Sequence, residues 1–84
     1  MTFMWISSSI SENWNMSQGV RKRIAQKLKY YREIHSYTRE ALSLSLGFEN
    51  SYIGKVERAK VNITIDRLNK IANFFNIDII ELFN

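Results

Sequence analysis

With 84 residues, 45% of them apolar, and no proline, the chain has room for one small domain and none for a second, catalytic one. The absence of cysteine excludes a disulfide framework, a thiolate metal site and a cysteine nucleophile. The net charge of +4 is uneven: residues 17 to 39 set Arg21, Lys22, Arg23, Lys27, Lys29, Arg32 and Arg39 against Glu33 alone, which suits a polyanion and equally a solvated helix face.

Residues 1–16, MTFMWISSSISENWNM, are aromatic, serine-rich and nearly uncharged, and they lack a sustained helical period. They read as an arm of marginal order outside the core fold. Four readings stay open for it: Phe3 to Ile6 pairing as a short strand, the same segment packing on a partner subunit, a disordered arm, or sequence upstream of a start at Met16. The domain proper is expected over residues 17–84.

Ser17 is a plausible cap for a first helix reaching about Ile34, with Val20, Ile24, Leu28 and Tyr31 at spacings of four, four and three. Thr38 is a good N-cap for a second helix, in which Ala41, Leu42 and Leu46 face inward. Gly47 ends it, because a residue without Cβ takes positive φ there at little steric cost. A third helix, roughly Asn50 to Arg58, has Ile53 and Val56 for the core and exposes Asn50, Ser51, Gly54 and Lys55. Thr64 caps a fourth, with Ile65, Leu68, Ile71, Ala72 and Phe75 as its stripe. Asp78 and Glu81, three apart, form a capping-box-like start for a fifth over Ile79 to Phe83. The prediction is all-α, with no repeat, linker or convincing strand.

Two short helices hinged at a glycine, the second presenting a polar face, are the arrangement that DNA-binding proteins lay into a major groove. Amides suit adenine N6/N7 and a lysine suits guanine O6/N7, so Asn50, Ser51 and Lys55 have base-reading chemistry. Glu49, just ahead of them, can accept from cytosine N4 or favour the helix dipole. Gly54 allows close approach to DNA, or is merely tolerated at an exposed site at a cost of about 1 kcal/mol relative to alanine. Phosphate contacts are expected from flanking elements: Arg39 at the start of the second helix, Tyr52, Lys60, and the loop Asn62 to Thr64.

The run Leu28, Arg32, Thr38, Leu42, Gly47, Tyr52, Ile53, Lys55, Glu57, Arg58, Leu68, Ile71, Ala72 and Leu82 resembles the XRE-type, or lambda-repressor-like, helix-turn-helix domain at every interval. The resemblance implies a five-helix, all-α domain that binds duplex DNA as a two-fold dimer. It also implies an ion pair between Arg32 and Glu57, holding the recognition helix against the first helix. Departures from the family pattern are Glu49 where serine is frequent, Arg39 where glutamine is common, Ser36 and Ala59 where glycine is usual, and Ile63 in place of proline. Helix five has more apolar side chains than one stripe requires. Ile79 and Leu82 can face inward, which leaves Ile80 and Phe83 for a homodimer interface.

The only histidine, His35, has no serine or carboxylate arranged around it by any motif, and no phosphate-binding glycine loop or metal-ligand cluster stands out. No enzyme activity, metal or cofactor is expected. No apolar run approaches the roughly 18 residues that would span a membrane, so a cytoplasmic protein without membrane contacts is expected. The expected function is sequence-specific regulation of transcription on a palindromic operator. Asn62 to Leu68, NITIDRL, is similar to controller proteins of restriction-modification systems; phage-type repressors share most of the same signals. The alternative is an antitoxin-like regulator whose N-terminal arm binds a protein partner.

Overall fold

The computed structural model describes residues 19–84, which hold four α-helices and one 3-10 turn, with no strand among them. The arm expected at residues 1–16 and the cap expected at Ser17 lie outside the described residues. We label the helices α1 (residues 19–34), α2 (Arg39–Ser45), α3 (Tyr52–Glu57) and α4 (Ile65–Phe74); a 3-10 turn, Ile79–Leu82, follows.

The caps explain where the helices begin. Thr38 Oγ1 accepts the Ala41 N–H at 3.0 Å and Thr64 Oγ1 accepts the Arg67 N–H at 3.2 Å, each satisfying a donor that a helix start leaves orphaned. Asp78 Oδ1 instead takes the Ile80 N–H, while the Glu81 N–H turns back onto the Asp78 carbonyl oxygen at 2.9 Å. That tight closure makes the fifth segment a 3-10 turn rather than the α-helix expected there.

All four α-helices end alike. After each, one residue takes a left-handed φ: Ser36 at 59°, Gly47 at 76°, Ala59 at 56° and Asn76 at 58°. The flanking amides close both bonds of a Schellman cap, as where Phe48 N–H donates to the Ser43 carbonyl oxygen at 2.8 Å and Gly47 N–H to that of Leu44 at 3.1 Å. Glycine fills one of these positions. Ser36 and Ala59, which stand where the family usually has glycine, keep the positive φ of a glycine position, and Asn76 shares the conformation with a side chain that tolerates it.

Each element contributes one apolar side chain of zero exposure to a common core: Leu28, Leu42, Ile53, Ile71 and Leu82. Burying a chain of this size is worth roughly 1.5 to 3 kcal/mol. Ile24, Leu46, Phe48, Val56, Leu68, Ala72 and Phe75 complete it, and Tyr31 stacks on Phe75 at 6.0 Å. Two expected core positions face solvent instead. Val20 is 41% exposed because the core cluster reaches back along α1 only to Ile24, and Ile65 is 65% exposed because it directly follows the Thr64 cap, before α4 meets the core at Leu68. His35 packs at the end of α1, its ring 4.9 Å from Phe75 and Nδ1 2.8 Å from the Tyr31 carbonyl oxygen.

Ser43 is the polar exception in the interior, fully buried on α2. Its hydroxyl donates to the Arg39 carbonyl oxygen at 2.9 Å and accepts the Ile53 N–H at 3.1 Å. One hydroxyl thus joins α2 to the first turn of α3.

Ala59→Gly removes the left-handed penalty of a β-carbon and is expected to stabilise the domain by about 0.5 to 1 kcal/mol, net of the added freedom of the unfolded chain. Asn76→Gly should change stability much less. Thermal unfolding of the two variants beside the parent checks the contrast; an equal response would mean that the β-carbon at residue 59 is not strained.

Candidate nucleic-acid interface

Six residues are too few to hold a helix in water, so α3 depends on its surroundings for both shape and direction. Ile53 and Val56 anchor its inner face, and Ser43 receives its first turn. Its last residue, Glu57, has a side chain only 4% exposed. Arg32 grips that carboxylate with two bonds, Nε to Oε2 at 2.5 Å and Nη2 to Oε1 at 3.0 Å, and its Nη1 donates to the Tyr37 carbonyl oxygen at 2.8 Å. The hydrogen bond to Glu57 raises the Arg32 pKa above its ordinary value. The pair implied by family resemblance is present, and it has a third member: Arg39 Nε reaches Glu57 Oε1 at 3.1 Å.

The opposite face of this segment is polar and open. Asn50 and Ser51 are exposed, in the turn that leads into α3 rather than inside the helix, whose first residue is Tyr52. Ser51 takes the N-cap position without a side-chain capping bond, so its hydroxyl is not consumed by the helix. Lys55 projects from α3 and is exposed. Gly54 departs from expectation, for it is buried. A β-carbon there would lie 3.5 Å from Arg58 Nη1 and 3.7 Å from Arg39 Cδ, so long arginine side chains cover the glycine. Arg39, Asn50, Ser51, Gly54 and Arg58 line one open cleft of about 650 Å³ between the start of α2 and α3.

The residues expected to touch phosphate are in differing states. Arg39 is half exposed, with Nε committed to Glu57. Lys60 and Asn62 are exposed on the segment between α3 and α4. Thr64 is exposed too, but its oxygen already serves Arg67, which leaves the hydroxyl proton to offer. Tyr52 is half-buried, edge-to-face with Phe48 at 5.0 Å, and the Arg67 guanidinium lies 4.4 Å from its ring centroid. Glu49 is exposed and paired with Arg67, Nη1 to Oε2 at 3.3 Å. A hydrogen bond from its own backbone N–H, and then Arg67, hold its carboxyl below the usual pKa.

Sequence reasoning gave Arg58 and Arg67 no part in this surface. An arginine one turn beyond a helical glycine was a usable signal for Arg58, since residues four apart share a face. Arg67 meets its carboxylate across 18 residues, a separation that no local pattern reveals.

A family model described as helix-turn-helix matches residues 28–82, the span from the core of α1 through the terminal turn. The chain belongs to the helix-turn-helix family. This helix-turn-helix chain is 39% identical over 57 residues to an uncharacterized HTH-type transcriptional regulator of Methanocaldococcus jannaschii, covering 68% of the chain and 86% of that protein. It is 30% identical over 63 residues to the control protein C.SmaI of Serratia marcescens, covering 75% of each. Among solved structures, the restriction-modification controller protein C.AhdI of Aeromonas hydrophila superposes with a TM-score of 0.70 at 30% identity, over 75% of this chain and 96% of that one. A hypothetical transcription factor, NHTF, from Neisseria superposes with a TM-score of 0.76 at 24% identity, over 81% and 78%. That last likeness is one of fold. As an XRE-type helix-turn-helix protein, the chain is a DNA-binding transcriptional regulator.

Glu57→Ala leaves the buried Arg32 with only the exposed Glu33, 3.9 Å away, as a charge partner and should destabilise the domain by about 3 kcal/mol, whereas Arg39→Ala, at the exposed limb of the same network, should cost about 1 kcal/mol or less. Urea unfolding separates these cases, and comparable losses would place the strength of the network at Arg39. Gly54→Ala meets only ordinary contact distances in the free protein and should raise stability by up to about 1 kcal/mol. If DNA approaches this backbone closely, the same variant binds its operator more weakly; unchanged affinity would mean the glycine is only tolerated.

Proposed function

We propose that this regulator works as a homodimer on a palindromic operator, laying one α3 into each of two major grooves about 34 Å apart. The observation that carries the reading is the outward run Asn50, Ser51 and Lys55, exposed in front of a helix that Ser43, Ile53, Val56 and Glu57 hold from behind. Amide, hydroxyl and ammonium groups on a rigid support are the chemistry that reads base edges. Glu49 and the backbone at Gly54 complete the base-reading set. Arg39, Tyr52, Lys60, Asn62 and Thr64 fix the register on the phosphates.

The terminal turn supplies the dimer contact in this reading. Ile79 is half-buried against the core and Leu82 fully buried, while Ile80 is 57% exposed. Phe83 is half-buried, part of its ring against the core and part outward. Ile80 and the outer part of Phe83 form a small self-complementary apolar contact about a two-fold axis. Similarity to C.SmaI and C.AhdI supports a more specific role, that of controller of a restriction-modification system acting in the cytoplasm. No described helix is long and apolar enough to cross a membrane.

Selection of bound duplexes from a randomised pool, with footprinting at two salt concentrations, tests the proposal. A palindrome is expected. Lys55→Ala should relax preference at one base pair per half-site, by about 1 to 3 kcal/mol. Lys60→Ala should weaken all duplexes alike and flatten the salt slope by about 1. Equal losses on specific and random DNA for both variants would show that α3 is not the reading element, and Ile80→Glu without effect on dimerisation would remove the proposed interface.

A further inference from the structure

Glu49 stands ahead of the recognition segment, where an isolated carboxylate would be repelled by the phosphates on either side of the groove. Its surroundings counter that repulsion. Arg67, in the first turn of α4, reaches across to place Nη1 3.3 Å from Glu49 Oε2. The guanidinium is itself confined, with its centre 4.4 Å from the Tyr52 ring centroid and 4.8 Å from that of Phe48. Those two rings meet edge-to-face, and a flat cation against aromatic faces has few orientations open to it. Arg67 is thereby held as a fixed arm rather than a free surface cation.

We propose that Arg67 is a positioning residue for base readout: it touches no base but neutralises and aims the Glu49 carboxylate, which accepts a hydrogen bond from the N4 amino group of a cytosine in the major groove. This inference rests on the reading of α3 as the recognition element. The contact between the two side chains is single rather than forked, and a carboxylate has about four acceptor positions, so capacity for a base remains. Charge supports the same role. The Glu49 carboxyl lies below its usual pKa through its own backbone N–H, Arg67 and, more weakly, Lys55. A depressed value keeps the acceptor ionised as pH falls, and loss of Arg67 moves its protonation to higher pH.

Duplex selection with the full chain and its Glu49→Gln, Arg67→Met and Glu49→Gln/Arg67→Met variants tests the assignment. Methionine retains an unbranched stem against Phe48 and Tyr52 while removing the charge; Arg67→Gln serves the same comparison should the methionine variant fail to fold. Glu49→Gln should reduce a cytosine preference at one position of each half-site by about tenfold, within the range for one side chain to one base. Arg67→Met should relax that same position by a similar factor and leave the positions read by Asn50 and Lys55 unchanged. The double variant should be no worse than either single one, and any cytosine preference left in Arg67→Met should vanish at a higher pH than in the parent. Arg67→Met that weakens specific and random duplexes equally, with the cytosine preference intact, overturns the proposal and makes Arg67 a phosphate contact. A parent chain that selects no duplex at all overturns instead the reading of α3 on which the proposal stands.

Discussion

The carboxylate of Glu57 is the point on which the geometry of the proposed DNA-facing surface turns. It sits at the C-terminal end of α3, where the helix dipole disfavours negative charge, and its side chain is almost entirely removed from water. Two guanidinium groups reverse both penalties, Arg32 from α1 and Arg39 from the start of α2. Because hydrogen bonds are directional, this node sets the angle of α3 against two other helices more tightly than apolar contact alone does. The bond from Arg32 to the Tyr37 carbonyl oxygen extends the node to the turn that delivers α2. A mismatched charge here is therefore felt in three places at once.

The leading end of α3 is held by different means. Ser43 accepts the Ile53 N–H, and Arg67 lies across Phe48 and Tyr52, which flank the turn into α3. Between these ends, Ile53 and Val56 carry the apolar contacts. The consequence is that the proposed reading element has its order established during folding. Little conformational entropy is left to be lost when it meets a duplex, and a preorganised donor set discriminates between bases better than one that can rearrange.

What could be read from the sequence was local. Thr38 and Thr64 cap as their residue types dictate, Gly47 takes positive φ, and the 3.6-residue period locates Leu28, Leu42, Ile53, Ile71 and Leu82. What escaped depends on contacts distant in sequence. Ser43 looks like a solvent position until the amide of Ile53, ten residues on, is seen to need an acceptor. Gly54 has no side chain to bury, and it is covered only because Arg39 and Arg58 fold over it. Periodicity extended the stripes to Val20 and Ile65, since a period does not say where the neighbouring helix stops. The early start drawn for α3 has a similar cause: Asn50 and Ser51 tolerate both turn and helix, and the cap that would decide between them is not made.

The pairing pattern also alters how charge on this surface should be counted. Glu49 and Glu57 each lie beside the segment proposed to face DNA, and each is matched by arginine. Arg32 is buried in its pair, and Arg39 and Arg67 are partly neutralised, so none of the three acts as a full free cation toward phosphate. Lys55, Arg58 and Lys60 take part in no ion pair among the described residues and are exposed. Counterion release follows the charges that neutralise phosphates, not the formal total. The salt dependence of binding should accordingly reflect chiefly the unpaired cations around α3, with Arg39 contributing only in part, while Arg32 and Arg67, paired with carboxylates, fix where those cations stand.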